Sequence, residues 1–325
     1  MESIKRRLYT GTAALMLIAL IMYDITAGSS AAAKMKDAVG DGVPDGVMRA
    51  LYIPNHKSRD MKYMKELVSE GKPLGINMLV MDIHTFGSTK AKIDGSVIEY
   101  LKGEKFYLTA RMVCFQDGIE RLPVSDAKMK ALYDLAGAAA DAGFDEVQLD
   151  YIRFQDGGVP YPLKRKYSFI EEILGNFRRI TDARKVRLSA DLFGRIVYNS
   201  NDVIGQKVEI FAAHTDVLYP MLYPSHYTGD RQRMSAPGET VKEGTLKGLK
   251  RLSGKNVAIQ PYIQAFPYNT QYAGVKLDEY VALQVKGVEC TAARGWVAWN
   301  PNGDYSSVYS ALRKIAADSA VRVAE

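Results

Sequence analysis

The fold of this chain can be argued from one stretch near its middle, Glu146-Val147-Gln148-Leu149-Asp150-Tyr151-Ile152-Arg153-Phe154. Residues on alternate positions share a face of a β-strand. The stretch accordingly divides into Glu146, Gln148 and Asp150 on one face and Val147, Leu149 and Tyr151 on the other. A carboxylate among apolar residues is costly to bury unless it is paired or used, so Asp150, near the end of the strand, is a candidate functional residue.

Strand-like runs of apolar, β-branched or aromatic residues recur on both sides of this stretch. Including it, they lie near 47–54, 77–84, 105–114, 146–153, 187–193, 216–223, 256–265 and 295–299. Most of the intervening segments have helical periodicity. The predicted helices run from a cap at Ser125 to near Gly143, from Tyr167 to Thr181, from Leu277 to Ala293 and from Tyr305 to Val321. The segment from Arg195 to His214 is less regular and gives only a weak prediction.

Eight strands that alternate with helices predict parallel βαβ units. A doubly wound open sheet is the alternative to a closed barrel. Two observations favour the barrel: the strands number eight, and polar residues collect at the carboxyl ends of nearly all of them. In a closed barrel those ends meet at one mouth, where the active sites of this fold lie. We therefore predict a single α/β domain with the (β/α)₈ TIM-barrel architecture.

The polar residues at the predicted strand ends form the candidate site. They are Asp82 and His84 after the second strand, Arg111 and Asp117 on the third, Asp150 and Arg153 on the fourth, Asp191 on the fifth, Tyr223 and His226 on the sixth, Gln260 on the seventh and Trp299 on the eighth. Asp150 and Asp191 end adjacent strands. Cleavage of a glycosidic bond needs such a pair of carboxyl groups, and their proximity raises one pKa.

Three of these residues have structural roles as alternatives to catalysis or binding. Asp82 is explained as well by a turn cap or by a pair with Arg111. Asp150 has an alternative role in a buried ion pair with Arg153, and Asp191 in bonds to backbone amides ahead of Gly194.

Many aromatic residues lie at or near the predicted strand ends, and sugar rings stack on aromatic faces. The set comprises Tyr52, Phe86, Phe115, Tyr151, Phe154, Phe193, Tyr219, Tyr223, Tyr227, Phe266, Trp296 and Trp299. A large share of them must belong to the core, so the aromatic set only supports the interpretation.

Composition excludes several classes of protein. The chain is 47% hydrophobic and 25% charged, as expected of a globular protein, and two cysteines exclude a disulfide scaffold. Cys114 and Cys290 are interpreted as buried thiols. The formal net charge of +6 is spread out rather than gathered in a stripe with aromatic residues, so nucleic acid is not an expected partner.

The N-terminus has the order of a secretory signal. Lys5-Arg6-Arg7 precedes an apolar stretch from about Leu8 to Tyr23, and Ala31-Ala32-Ala33 follows. Residues 1–33 are therefore predicted to be a signal peptide or a membrane anchor, residues 34–45 a linker and residues 46–325 the barrel. We expect an exported protein (periplasmic, on the cell surface or secreted) that touches a membrane only through an uncleaved N-terminus.

The chain resembles a family of exported bacterial barrels regarded as glycosyl hydrolases, distantly similar to α-amylase and α-galactosidase barrels. The matching stretches are Gly143 to Phe154, Ser189 to Gly194, Ile204-Gly205-Gln206 and Tyr219 to Tyr227, with weaker matches at Ala110 to Asp117 and Gly295 to Asn300. The resemblance implies a (β/α)₈ fold, a polysaccharide or oligosaccharide substrate, a nucleophile at Asp150 and an acid/base at Asp191.

The chain departs from amylase-type barrels at three positions. Those barrels place an arginine two residues before the strand-four aspartate, where this chain has Gln148. Their strand-five acid is usually glutamate, whereas Asp191 has a shorter reach. After the second-strand aspartate this chain continues Asp82-Ile83-His84-Thr85 rather than with a Lys-Asp-like run. These departures affect the assignment of acid/base and bond type more than the fold.

The leading hypothesis is a glycoside hydrolase, with Asp150 and Asp191 catalytic and the other strand-end residues binding substrate. No cofactor is expected. A metal-dependent carbohydrate hydrolase or deacetylase is the second hypothesis, although no compact histidine cluster supports a metal site. The residues of ligand type are Asp82, His84, Asp150, Asp191 and His226. A non-catalytic glycan-binding barrel is the third.

Overall fold

The computed structural model describes residues 46–157 and 159–324. The predicted signal or anchor (1–33) and the predicted linker (34–45) lie outside the described residues. None of the described helices is long and apolar enough to cross a membrane.

A closed ring of parallel strands forms the centre of the barrel. The strands are β1 (Met48–Ile53), β2 (Met78–Asp82), β3 (Tyr107–Val113), β4 (Glu146–Asp150), β5 (Arg187–Phe193), β6 (Val217–Met221), β7 (Ala258–Ile259), β8 (Tyr262–Gln264) and β9 (Gly295–Trp299). Each strand from β1 to β5 pairs with the next one along the chain, up to the pair of β5 with β6, and β9 closes the ring on β1. The predicted TIM barrel is confirmed, and the open doubly wound sheet is excluded by the closure.

The seventh position of the ring is shared by β7 and β8, which both pair with β6. Pro261 lies between them and has no backbone N–H to give to a neighbouring strand. The run near 256–265 is therefore one barrel strand broken at its centre. The ring keeps the eight positions that the sequence predicts.

Helices surround the ring. They are α1 (Met61–Gly71), α2 (Gly95–Gly103), α3 (Asp126–Asp141), α4 (Leu163–Asp182), α5 (Val208–Phe211), α6 (Arg231–Ser235), α7 (Pro237–Arg251), α8 (Leu277–Glu289) and α9 (Ser306–Ala324). The predicted cap is present, since Ser125 Oγ accepts a hydrogen bond from the Lys128 N–H at 3.3 Å. The predicted helix at Tyr167 begins four residues earlier, and the irregular segment from Arg195 contains most of a 3₁₀ turn (Gly194–Val197) and the short α5.

The two faces of the strands have different surroundings. Val147, Leu149 and Ala190 face outwards into the apolar layer beneath the helices. Glu146, Gln148 and Ser189 are also fully buried, yet they lie outside that apolar layer. Barrel interiors are usually filled by branched apolar side chains, so a polar interior of this kind needs internal partners.

The cysteines are both free. Cys114 is buried as predicted, and burial raises the pKa of its thiol. Cys290 is exposed, because it follows the last residue of α8 at the surface. The prediction of a buried thiol is wrong for Cys290.

Candidate active site

A cavity of about 570 Å³ opens where the strands end. Arg111, Asp150 and Asp191 reach it from β3, β4 and β5. Aromatic residues from the segments after β6 and β8 and from the end of β9 line it as well, among them Tyr223, Phe266 and Trp299. The cavity lies at the end of the barrel where active sites of this fold are found.

Four charged side chains form what we call the mouth cluster: Asp82, Arg111, Asp150 and Asp191. The Arg111 guanidinium lies at its centre. Nη1 donates a hydrogen bond to Asp82 Oδ1 at 2.5 Å, and Nη2 donates to Asp150 Oδ2. Nε lies 3.5 Å from Asp191 Oδ2. One guanidinium therefore serves three carboxyl groups, all of them buried.

Arg111 also lies next to the position at which this chain departs from amylase-type barrels. It is the register neighbour of Gln148 on β4, the residue that stands where amylase-type barrels have arginine. The guanidinium beside Asp150 is thus supplied by the adjacent strand. Of the two structural roles considered for Asp82, the structure shows the pair with Arg111, while Asp150 pairs with Arg111 rather than with Arg153.

Asp150 is held by its own backbone as well. Tyr151 adopts a left-handed conformation with φ of 57°, and its N–H donates to Asp150 Oδ1 at 2.6 Å. This conformation is uncommon for a residue with a side chain and marks a local constraint. It also interrupts the strand alternation, so Tyr151 lines the cavity instead of facing the helices as the sequence predicts.

Asp191 has the opposite environment. Only 1% of it is exposed, and neither carboxyl oxygen accepts a hydrogen bond from the described residues, since Arg111 Nε, 3.5 Å from Oδ2, forms only an ion pair. The predicted bonds to backbone amides ahead of Gly194 are not formed. Burial, and then the neighbouring Asp150 carboxylate, raise the pKa of Asp191 well above its ordinary value, and Arg111 offsets this only in part. Asp191 is the member of the cluster suited to carry a proton.

Gln206 fastens the ends of β4 and β5 together. Its Nε2 donates to the Asp191 carbonyl at 3.2 Å and to the Ile152 carbonyl at 3.4 Å, while Oε1 accepts from the Phe193 N–H at 2.9 Å. Gly205 allows this approach, since its φ is 78° and a Cβ there would lie 2.9 Å from Ile170 Cδ1. Gln206 thereby fixes the spacing of the two strands that carry Asp150 and Asp191.

Aromatic rings form a continuous wall on one side of the mouth. Trp299 lies 5.7 Å from Tyr52, 5.9 Å from Tyr223 and 5.2 Å from Phe266, measured between ring centroids. His226 extends the wall, 5.1 Å from Tyr223. The structure thus brings Tyr223, His226 and Trp299 to the cavity, as their predicted role in binding requires.

Five of the predicted binding residues do not line the cavity. Asp82 pairs with Arg111 in the mouth cluster. Asp117 is exposed in the turn after β3. Both nitrogens of His84 bond to backbone, Nδ1 to Ser88 and Thr85 and Nε2 to the Val113 N–H. Gln260 is wholly buried, and its Nε2 donates to the Met48 and Trp296 carbonyls, among others. Arg153 packs beneath Tyr151 and Phe193.

Sequence reasoning missed three residues that bring polar side chains to the cavity. Tyr262 lines it and donates to Gln148 Oε1 at 2.8 Å. Arg195 and Tyr268 line it from the segments after β5 and β8. Tyr262 shares the inward face of its strand with Gln260, and that parity was the available signal.

A second buried charge group, the base cluster, lies at the opposite end of the barrel. Arg294 Nη1 pairs with Glu146 Oε2 at 3.0 Å, Tyr219 donates to Glu146 Oε1 at 2.6 Å, and Tyr107 donates to Oε2 at 3.0 Å. Burial acts to raise the pKa of Glu146, but Arg294 and the hydroxyl donors outweigh it and hold the pKa below its ordinary value. Glu146 begins its strand, and its full set of partners fits a structural role.

Among the described residues, no three histidine, cysteine, aspartate or glutamate side chains are grouped so that they could hold a metal ion. The space between Asp82, Asp150 and Asp191 contains the Arg111 guanidinium.

Two comparisons with known proteins bear on this site. A family described as "Putative glycosyl hydrolase domain" matches residues 122–305, which include Asp150, Asp191 and, from the aromatic wall, Tyr223, Phe266 and Trp299. No curated protein sequence matches the chain.

Solved structures share the fold at low identity. A chitinase from Chromobacterium violaceum is 13% identical with a TM-score of 0.57, over 82% of this chain and 98% of that one. The spore cortex-lytic enzyme SleL of Bacillus cereus is 10% identical with a TM-score of 0.57, over 83% and 76%. A chitinase from Cycas revoluta, solved with (GlcNAc)4, is 12% identical with a TM-score of 0.54, over 82% and 98%.

Proposed function

We propose, on the premise that this chain belongs to the glycosyl hydrolase domain family and is a glycoside hydrolase, that Asp150 and Asp191 are its catalytic pair. The substrate we propose is a polysaccharide or oligosaccharide of the cell envelope or its surroundings. One observation carries the assignment: two carboxyl groups in contrasting environments flank a single guanidinium in an aromatic-walled cavity.

The contrast between the two acids matches two roles. Asp150 receives hydrogen bonds from Arg111 and from the Tyr151 N–H, donors that favour a carboxylate. Asp191 accepts no hydrogen bond from the described residues, and its pKa is raised. Glycosidases need one ionised group to attack and one protonated group to assist departure of the leaving oxygen.

The proposed reaction has two steps. The Asp150 carboxylate attacks the anomeric carbon while the glycosidic C–O bond breaks, and the Asp191 proton passes to the leaving oxygen. Water then gives a proton back to Asp191 and attacks the anomeric carbon, which releases Asp150 as a carboxylate. Arg111 stabilises the carboxylate in its attacking and leaving states.

The aromatic wall supports a carbohydrate substrate. Trp299, Tyr223 and Phe266 offer faces and edges on which the apolar side of a sugar ring packs. The similar folds of chitinases and of a spore cortex-lytic enzyme make chitin and spore cortex reasonable first substrates to test.

The test is cleavage by the purified protein of a panel of chitin, spore cortex, starch and β-glucan, measured as new reducing ends. Asp150→Asn should lower kcat on the cleaved glycan by a factor on the order of 10⁴. Asp117→Asn is the matched control, since Asp117 is exposed and outside the cavity, and should retain wild-type activity. An Asp150→Asn variant within tenfold of wild type would overturn the proposal.

We also propose that the protein is exported by residues 1–33. The support is the basic, apolar and small-residue order of that segment. N-terminal sequencing of the protein recovered from the periplasm or medium should begin near residue 34, or at residue 1 in a membrane fraction if the segment stays attached. Recovery from the cytoplasm alone would contradict export.

A further inference from the structure

The loop that follows β8 carries an unusual concentration of exposed hydrophobic residues. In the described part of the chain, seven large hydrophobic side chains are exposed, and three of them are Tyr268, Tyr272 and Val275. Their exposed fractions are 53%, 41% and 37%. We call the segment 268–275 the rim platform. Contiguous exposed apolar surface of this kind marks a binding surface more often than scattered residues do.

The rim platform continues the cavity. Phe266 and Tyr268 line the cavity, and Tyr272 follows in the turn Thr270–Ala273. The aromatic wall of Trp299 and Phe266 therefore leads outward to Tyr268 and on to this turn. A ligand that fills the cavity and is longer than it has an aromatic surface beside its exit.

Hydrogen bonds from a buried side chain hold the backbone at the start of the rim platform. Gln264 is fully buried, and its Nε2 donates to the Phe266 carbonyl at 3.0 Å and to the Tyr268 carbonyl at 2.8 Å. Gln284, also buried, donates to the Gln264 carbonyl at 2.9 Å and accepts from its N–H at 2.9 Å. These bonds fix the backbone that presents the exposed ring, so binding there costs little ordering of the loop.

The chemistry of the segment is neutral. No charged residue occurs from Asn256 to Val275, although a quarter of the chain is charged. Besides its aromatic rings, the rim platform offers the amide and hydroxyl groups of Asn269, Thr270 and Gln271. Rings with neutral hydrogen-bonding groups suit uncharged sugars, whereas an acidic glycan would be expected to meet cations.

We propose that the rim platform is a binding subsite for uncharged sugar units that extends outward from the cavity at Tyr268, so that the enzyme acts on chains rather than on single terminal sugars. This inference rests on the proposed function, because it places the bond-breaking end of the chain at Asp150. It adds a substrate class: a polymer with uncharged units on the side of the cleaved bond that faces Tyr268.

The experiment compares chain lengths. The probes are the disaccharide and the hexasaccharide of the glycan that the wild-type enzyme cleaves in the panel above. In Tyr268→Ala and Tyr272→Ala, the ratio of kcat/KM for the hexasaccharide to that for the disaccharide should fall about three- to tenfold, the worth of one aromatic stacking contact. Leu246→Ala, which removes an equally exposed hydrophobic residue from the surface of α7, should leave the ratio unchanged.

The outcomes separate this inference from the proposed function. Equal losses on both chain lengths, or no loss, would overturn the rim platform while leaving Asp150 in place. If no glycan is cleaved, the proposed function fails, and native electrophoresis in gels that contain soluble starch or hydroxyethyl cellulose tests the subsite alone. Retardation that Tyr268→Ala abolishes supports the subsite, and equal mobility of all variants with and without these polymers contradicts it.

Discussion

The mouth cluster and the base cluster both place a buried arginine among acidic and phenolic side chains, yet they differ in charge balance. In the base cluster one guanidinium faces one carboxylate, and two hydroxyls complete the shell of Glu146. In the mouth cluster one guanidinium serves three carboxyl groups, and Asp191 accepts no hydrogen bond from the described residues. Burial is nearly complete in both, so burial does not distinguish a structural site from a functional one.

The balance between carboxyl groups and the cations and hydrogen-bond donors around them does distinguish the base cluster from the mouth cluster. In the base cluster the pKa of Glu146 is held below its ordinary value, and in the mouth cluster the pKa of Asp191 is raised. A structural pair satisfies its charge, whereas a catalytic group is kept in an unfavourable environment that tunes its protonation.

The first prediction breaks the base cluster. Glu146→Gln leaves the Arg294 charge buried without its carboxylate, and we expect the free energy of unfolding to fall by about 3–5 kcal/mol. Urea denaturation followed by circular dichroism measures it. A variant that unfolds at the wild-type urea concentration would show that the Glu146–Arg294 pair does not hold the fold together.

The second prediction concerns the proton of Asp191. Asp191→Asn should lower kcat on a natural glycan by about 10²–10⁴, because the leaving oxygen then departs without a proton. A dinitrophenyl glycoside of the same sugar has a leaving group that needs no proton. On this substrate the rate of the first step, in which the glycosidic bond breaks, should fall much less. Equal losses on both substrates would contradict the role of Asp191 as acid.

The third prediction loosens the mouth cluster without touching a charge. Gln206→Leu removes the bonds between the ends of β4 and β5, and a misplacement of Asp191 by a fraction of an ångström should lower kcat about ten- to a hundredfold. The alkaline limb of the pH profile should shift as well, which loss of stability alone would not produce. Gln116→Leu, at an exposed position after β3, is the control.

The fourth prediction is a gain of stability. Because the pKa of Asp191 is raised in the folded protein, the native state binds more protons than the unfolded chain at pH values between the ordinary aspartate pKa and the raised one. Stability from this group is therefore highest below the ordinary pKa and falls as the pH rises through that window. Asp191→Asn should be more stable than wild type by roughly 0.5–2 kcal/mol at neutral pH and should lose this advantage near pH 3.5. Thermal unfolding at the two pH values measures it, and a constant difference would contradict the mechanism.

The fold was predictable because it depends on local signals. Eight strand-like runs and the cap at Ser125 each follow from a few neighbouring residues, and all of them are present. The acids of the mouth cluster were predictable for the same reason, since alternation places Asp150 and Asp191 on the inward faces of adjacent strands.

The height of each inward side chain along the barrel axis was not predictable. Gln260 and Tyr262 share an inward face, but only Tyr262 reaches the cavity, because strand register and not face parity sets the height of a side chain. Tyr151 was assigned to the wrong face, since its left-handed backbone breaks the alternation. His84 was expected in the site but accepts the Val113 N–H, a contact between strands that no local pattern contains.

The origin of Arg111 on β3 has a consequence for tracing descent among such barrels. Two proteins that present the same guanidinium to the same aspartate, one from β3 and one from β4, would each appear in a linear alignment to have lost an essential residue. The exchange of Arg111→Gln together with Gln148→Arg would recreate the other arrangement within this chain, because the two positions are register neighbours. If each single change inactivates the enzyme and the double change restores it, activity requires a guanidinium beside Asp150, and either β3 or β4 can supply it.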